Sequence, residues 1–189
     1  MGSILGITGT PGTGKKSIAP LVAKKLGLGC VGLNELAVSH GLVDESDPEG
    51  KVDTKELRRR LVHELRGPAV VYGHLLPYAL PPTSVSRVVV LRCEPAALKA
   101  RLLARSYPSQ KVVDNVEAEL IGLVSSDAFD AFGRSRTFEV DSTLTTSAEA
   151  SRTVAGVLRG DAQAGSRIDW TSDYDSGAKL RSLLSVEVA

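Results

Sequence analysis

Residues 4–26 read ILGITGTPGTGKKSIAPLVAKKL. An apolar run at 4–8 enters a glycine-rich turn at 9–14, and Lys15 opens an apolar-periodic segment. That order predicts a buried strand, a phosphate-binding loop and a helix. The spacing Gly9-x-x-x-x-Gly14-Lys15 fits the Walker A pattern, in which Ser or Thr normally follows the lysine. Here Lys16 follows, and the hydroxyl arrives one place later at Ser17. Glycines in the turn permit backbone angles closed to residues with a Cβ. Successive N–H groups can then turn inward around phosphate oxygens. The positive end of the helix dipole points at the same place. Lys15 supplies a mobile cation for the β- and γ-phosphates. An ordinary glycine-rich turn is the plainer alternative, and the lysine in register within a strand–turn–helix order favours the phosphate loop.

The chain has 189 residues, 42% apolar and 24% charged, which predicts one α/β domain with a single core. A formal net charge of +1 gives no global field for nucleic acid, and no DNA partner is expected. Aromatic content of 4% argues against an RNA-binding sheet of stacked rings. Cys30 and Cys93 form no C-x-x-C pair and are expected as buried free thiols at strand edges. No apolar run approaches the roughly 20 residues of a membrane span. With no export signal ahead of the phosphate loop, a cytoplasmic location is expected.

The first helix is expected at 14–26, ending at Gly27, with Ile18, Leu21, Val22 and Leu26 facing the sheet and a distortion at Pro20. Cys30 and Val31 suggest a short strand, and Asn34 a cap for a helix to Ser39. Residues 42–50, LVDESDPEG, read either as a solvated loop or as a rim over a second substrate. Asp53 and Glu56 open a further helix that carries Arg58, Arg59 and Arg60. These arginines are a solvated face, or one of them reaches a phosphate. Residues 69–72, AVVY, read as a buried strand with Gly73 and His74 at its carboxyl end, where ligands sit in open α/β sheets. Residues 87–92, RVVVLR, are the clearest strand, followed by a helix begun at Pro95. Arg101 and Arg105 lie one turn apart on that helix and form a possible clamp on a triphosphate. One long helix is expected at 111–132, with Val112, Val116, Leu120, Leu123 and Val124 inward. Residues 137–140 form a last strand, and Thr146 with Glu149 a capping box for a helix to 159. The segment after Gly160 holds Trp170 and a short helix, with no role legible. Strands alternating with helices imply a mostly parallel sheet covered on both faces.

The loop GTPGTGK resembles that of P-loop nucleoside monophosphate kinases. Residues 88–120, VVVLRCEPAALKARLLARSYPSQKVVDNVEAEL, resemble the adenylate kinase isoenzyme 6 family, also called coilin-interacting nuclear ATPase, in its archaeal branch. The matching residues are Val90, Leu91, Arg92, Pro95, Leu98, Arg101, Leu102, Arg105, Tyr107, Lys111, Asn115 and 117–119, together with Gly73, His74 and Pro81. The resemblance covers about residues 1–160. It implies an α/β P-loop NTPase fold with a five-stranded sheet, a small NMP-binding region at about 31–54 and a short LID at about 104–114, leaving 161–189 as a tail. It implies transfer of the ATP γ-phosphoryl group to AMP with Mg²⁺, giving two ADP. It also implies ATP hydrolysis and a part in small-ribosomal-subunit maturation, with a small-subunit ribosomal protein and pre-ribosomal RNA as partners. Gly12, Thr13, Gly14, Lys15, Lys16 and Ser17 would hold ATP, Arg105 would be the LID arginine, and Ser17 would serve the metal, largely through water.

Two positions depart from the family. Lys16 stands where it usually carries Thr, and Tyr72 where it tends to place an acidic residue. Ser17 matches the hydroxyl of ordinary adenylate kinases, and Asp53 is the candidate replacement for the missing carboxylate. Lys15, Arg105 and His74 are the expected catalytic residues, His74 orienting the acceptor or a water. A different small-molecule kinase, a nucleotide-switched assembly factor and a binder without turnover are the competing readings.

Overall fold

The computed structural model describes residues 4–44, 51–65, 67–161 and 167–186. Most of the loop at 42–50 lies outside them. Five strands form one sheet: β1 (Ile4–Thr8), β2 (Gly29–Gly32), β3 (Ala69–Tyr72), β4 (Val85–Arg92) and β5 (Thr137–Asp141). The order is β2-β3-β1-β4-β5, and every pairing is parallel. The chain leaves β1 between two neighbours reached by crossovers in opposite directions, which opens a crevice at its carboxyl end.

Nine helices among the described residues cover the sheet: α1 (Lys15–Leu26), α2 (Leu33–Ser39), α3 (Thr54–Glu64), α4 (Leu76–Ala79), α5 (Pro95–Leu103), α6 (Ser109–Leu120), α7 (Leu123–Phe132), α8 (Ser147–Arg159) and α9 (Gly177–Leu184). Ile7, Val70, Val89 and Leu91 pack on one face against Ile18 and Val22 of α1 and Val154 and Leu158 of α8. Val71, Val88 and Val90 pack on the other against Leu36, Leu57, Leu76 and Phe132. Alternate residues of β4 thus serve opposite layers, as a period of two requires.

Several expectations change. The first helix runs through Pro20 without a break, because Pro20 is exposed and its missing donor falls on the solvent side. Leu21 is 36% exposed, and Ala19 and Ala23 take the inward positions instead. Asn34 lies inside α2, whose N-cap is Gly32. The single helix expected at 111–132 is two, since Gly122 adopts a left-handed conformation with φ 67° and redirects the chain. Leu123 consequently points outward, 47% exposed. Cys93 is buried, but Cys30 is exposed on the edge strand β2, which has a neighbour on one side only. The capping box at Thr146 and Glu149 is present.

The segment after 166 packs onto the domain. Leu183 is buried with Leu98, Leu102, Val112 and Val116, and Trp170 and Tyr174 lie against the same cluster. Lys99 Nζ donates to the carbonyls of Ser182 and Ser185 at 3.0 and 2.6 Å. None of the described helices is long and apolar enough to cross a membrane.

Candidate active site

The loop at 9–14 follows β1 directly and leads into α1. Gly12 takes φ 100°, and a Cβ there would come within 2.6 Å of Leu98 Cδ1. The loop therefore has to pass close over α5, and only glycine permits it. Its shape is held from below: Thr13 Oγ1 donates to Thr10 O at 2.9 Å, and Ser142 Oγ donates to Thr13 O at 2.9 Å. Thr10 Oγ1 donates to Glu119 Oε2 on α6 at 2.5 Å.

Above the loop lies a cavity of about 640 Å³. From the loop and α1 come Gly12, Gly14, Lys15, Lys16 and Ser17, and from the ends of β3 and α2 come Tyr72, His74, Asn34 and Glu35. From the α5–α6 connection come Arg105 and Tyr107, and from α6 come Lys111, Asp114 and Asn115. Four cationic side chains face two carboxylates, which suits a polyanion.

Lys15 Nζ donates to the carbonyls of Gly9 and Thr10 at 2.5 and 2.9 Å. Burial pulls its pKa down to about 7; Glu119 opposes this and Arg105 adds to it. His74 is held by β3, whose next residue Gly73 donates to Ile7 O at 3.1 Å and accepts from Thr8 Oγ1 at 2.9 Å. Burial, then the Lys15 charge, push His74 down to about 4, so its imidazole is neutral near pH 7.

Lys16 and Tyr72 turn out to share a partner. Lys16 Nζ lies 3.1 Å from Glu35 Oε1, and the Tyr72 hydroxyl hydrogen-bonds to the same carboxylate. Burial works to raise the Glu35 pKa, but its own backbone N–H, Lys16 and Tyr72 outweigh it and hold it below the usual range. Gly32 makes the contact possible, since a Cβ there would fall 2.2 Å from Glu35 Oε2 and 2.7 Å from the Tyr72 hydroxyl.

Other expected site residues lie elsewhere. Arg101 does not line the cavity; its Nη2 donates to the carbonyls of Ser142 and Thr143 at 2.9 and 2.7 Å. One helical turn separates Arg101 from Arg105, yet α5 ends at Leu103, so only Arg105 rides on the connection that overhangs the loop. Arg58 donates to Ala79 O and Tyr78 O, while Arg59 and Arg60 pair with Glu56. Asp53 caps α3 by accepting from the N–H groups of Lys55 and Glu56, and so does not replace the missing carboxylate.

Sequence reasoning missed Glu35 and Glu119 as site partners. Nothing in a linear reading joins residues 16, 35 and 72, or 10, 92 and 119. Glu119 is 1% exposed and also accepts from Arg92 Nε at 2.8 Å and Cys93 N at 2.9 Å. Arg92 in turn pairs with Glu139 at 2.8 Å and donates to Ile168 O at 3.0 Å. The phosphate loop, α6, β5 and the tail are thus joined by one buried polar network.

The donors at the loop do not fit a protein-held Mg²⁺. The position after Lys15 carries an ammonium, the Glu35 carboxylate beside it is paired with that ammonium, and Ser17 is the hydroxyl that the start of α1 offers to the cavity; the other carboxylate of the wall, Asp114, comes from α6 and not from the loop. No group of three or more His, Cys, Asp and Glu among the described residues is arranged for a metal ion.

Loop, sheet order and cavity define an α/β P-loop NTPase. Solved P-loop kinases share the fold: a gluconokinase from Sinorhizobium meliloti 1021 superposes with TM-score 0.56 at 21% identity over 85% of this chain and 93% of that one. A shikimate kinase from Aquifex aeolicus gives 0.55 at 15% identity over 86% and 99%. Residues 5–122 match the family described as AAA domain. A protein named "Putative adenylate kinase" from Archaeoglobus fulgidus is 34% identical over 178 residues, 91% of this chain and 94% of its own length. Its namesake in Pyrococcus abyssi is 36% identical over 173 residues, 91% and 93%. The chain belongs to this archaeal family of adenylate kinase-like P-loop proteins.

Proposed function

We propose that the chain is a nucleoside monophosphate kinase that transfers the γ-phosphoryl group of ATP to AMP. The observation that carries this is the meeting of Lys15, Arg105 and His74 in one cavity over the phosphate loop. The family's name and the resemblance to the isoenzyme 6 branch supply the acceptor. ATP hydrolysis as a side reaction, and a part in small-subunit maturation with a ribosomal protein, rest on that resemblance alone.

In the reaction an oxygen of the acceptor phosphate bonds to the γ-phosphorus as the bond to the β-bridging oxygen breaks. The loop amides and Lys15 hold the β- and γ-oxygens, and Lys15 recovers its full charge once a phosphate replaces the Gly9 and Thr10 carbonyls. Arg105 covers the charge that spreads over the transferring group. Neutral His74 offers a hydrogen bond to the acceptor without adding a charge. The stretch at about 104–114, the α5–α6 connection with the start of α6, acts as the LID, and its closure excludes water in favour of the acceptor. Ser17 adds a hydroxyl at the loop, and Mg²⁺, where used, arrives on the nucleotide.

Following ATP, ADP and AMP together, with and without added AMP, tests this reading. AMP-dependent formation of two ADP per ATP supports it, and ADP formed only with another acceptor class assigns a different kinase. A second reading, a nucleotide binder with little turnover, is favoured by the Lys16–Glu35 pair in the place of metal ligands. Tight ATP binding without phosphoryl transfer in the same assay selects it.

A further inference from the structure

Lys16 is placed to serve the phosphates. It occupies the first turn of α1 immediately after Lys15, lines the same cavity and is 82% exposed along its side chain. Among the described residues the contact that holds it is the carboxylate of Glu35, itself 44% exposed and shared with Tyr72. An exposed ion pair of this kind is weak, so a polyphosphate of several negative charges outcompetes it. A lysine ammonium is a compact charge on a flexible stem with three donors. It can therefore leave Glu35 for phosphate oxygens without moving the backbone. In the Walker A pattern this position serves a metal cation through a hydroxyl. Here the position carries a cation of its own.

We infer that Lys16 is a built-in counter-cation for the nucleotide polyphosphate, paired with Glu35 until the phosphates take it, and that it lets this protein bind metal-free nucleoside triphosphate nearly as tightly as the magnesium complex. The inference rests on the cavity being the nucleotide site. Its chemistry is simple charge replacement. One ammonium neutralises part of the charge that Mg²⁺ would otherwise cover, and bound Mg²⁺ gains less because Lys16 repels it. Glu35 is the partner that the ammonium leaves when phosphate arrives, and Gly32 leaves the room that Glu35 needs to reach it.

Titration calorimetry with ATP in excess EDTA and in excess Mg²⁺ tests this on the full chain. For the wild type the two dissociation constants should agree within about threefold. In Lys16→Thr, which restores the usual hydroxyl, metal-free affinity should fall by about tenfold, the size of one charge-assisted hydrogen bond, while affinity for the magnesium complex holds or improves. Glu35→Gln frees the ammonium from its partner and should raise metal-free affinity, and the gain should be smaller in the Lys16→Thr background, where only the lost carboxylate charge acts. Unfolding midpoints of all variants should stay near wild type, since both side chains are exposed. A wild type that needs Mg²⁺ for tight binding, or an unchanged metal-free affinity in Lys16→Thr, overturns the inference while leaving the kinase reading intact. Absence of ATP binding under both conditions overturns the nucleotide site itself.

Discussion

Thr10 in the phosphate loop donates to Glu119 of α6 at 2.5 Å across 109 positions of sequence. The same carboxylate binds Arg92, so the floor of the loop is an ion pair buried to 2% exposure on each side. Loop geometry and core electrostatics are therefore one structure. Glu119→Ala should cost about 3–5 kcal/mol, because it leaves Arg92 short of a partner in the core. Glu119→Gln keeps the shape and one acceptor and should cost less. Denaturant unfolding of both variants gives the order, and equal losses would show that the pair is not what holds the floor.

Lys15 gives a proton signature. Its pKa is lowered to about 7 chiefly by burial, and a bound phosphate raises it again. At pH 8 the free protein carries Lys15 mostly neutral, so ATP binding takes up a fraction of a proton approaching one, seen as a dependence of binding enthalpy on buffer ionisation. Stability follows the same sign. Between about pH 7 and 10.5 the unfolded chain binds more protons than the folded one, so this group makes stability rise with pH there. Lys15→Ala should abolish both the uptake and most turnover without lowering the unfolding midpoint.

Arg101 and Arg105 should separate cleanly. Arg105→Ala removes a cavity cation and should reduce kcat on the order of 10²–10³-fold with little change in stability. Arg101→Ala leaves the Ser142 and Thr143 carbonyls without their guanidinium donor and should cost about 1–3 kcal/mol. Its kcat should fall far less than that of the Arg105 variant. Steady-state kinetics beside thermal unfolding distinguishes the two.

The tail should matter for stability. Leu183 is 4% exposed against α5 and α6, and Leu183→Ala should cost about 2–4 kcal/mol. Deleting residues 167–189 should lower the unfolding midpoint further and weaken nucleotide binding, because α5 and α6 flank the connection that carries Arg105 over the loop. Unchanged melting in the truncated chain would show that the tail rides on the domain without supporting it.

Sequence alone determined the strand–loop–helix at 4–26, the sheet class, the capping box at Thr146 and the position of His74 at a strand end. These follow from local patterns: apolar periodicity, glycine at turns and short-range capping, all legible within a few residues. The split at Gly122 was not legible, since a single glycine inside a periodic run is ambiguous until the chain must turn past Arg92. Only tertiary structure decided which arginine faces the cavity. Both lie on the same short stretch of sequence, but the end of α5 leaves Arg101 on the β5–α8 loop and Arg105 on the cavity. It also decided the meaning of Lys16 and Tyr72. In sequence they are two unrelated departures from a motif, and in the fold they meet on Glu35, because parallel strands bring the ends of β1, β2 and β3 to one edge.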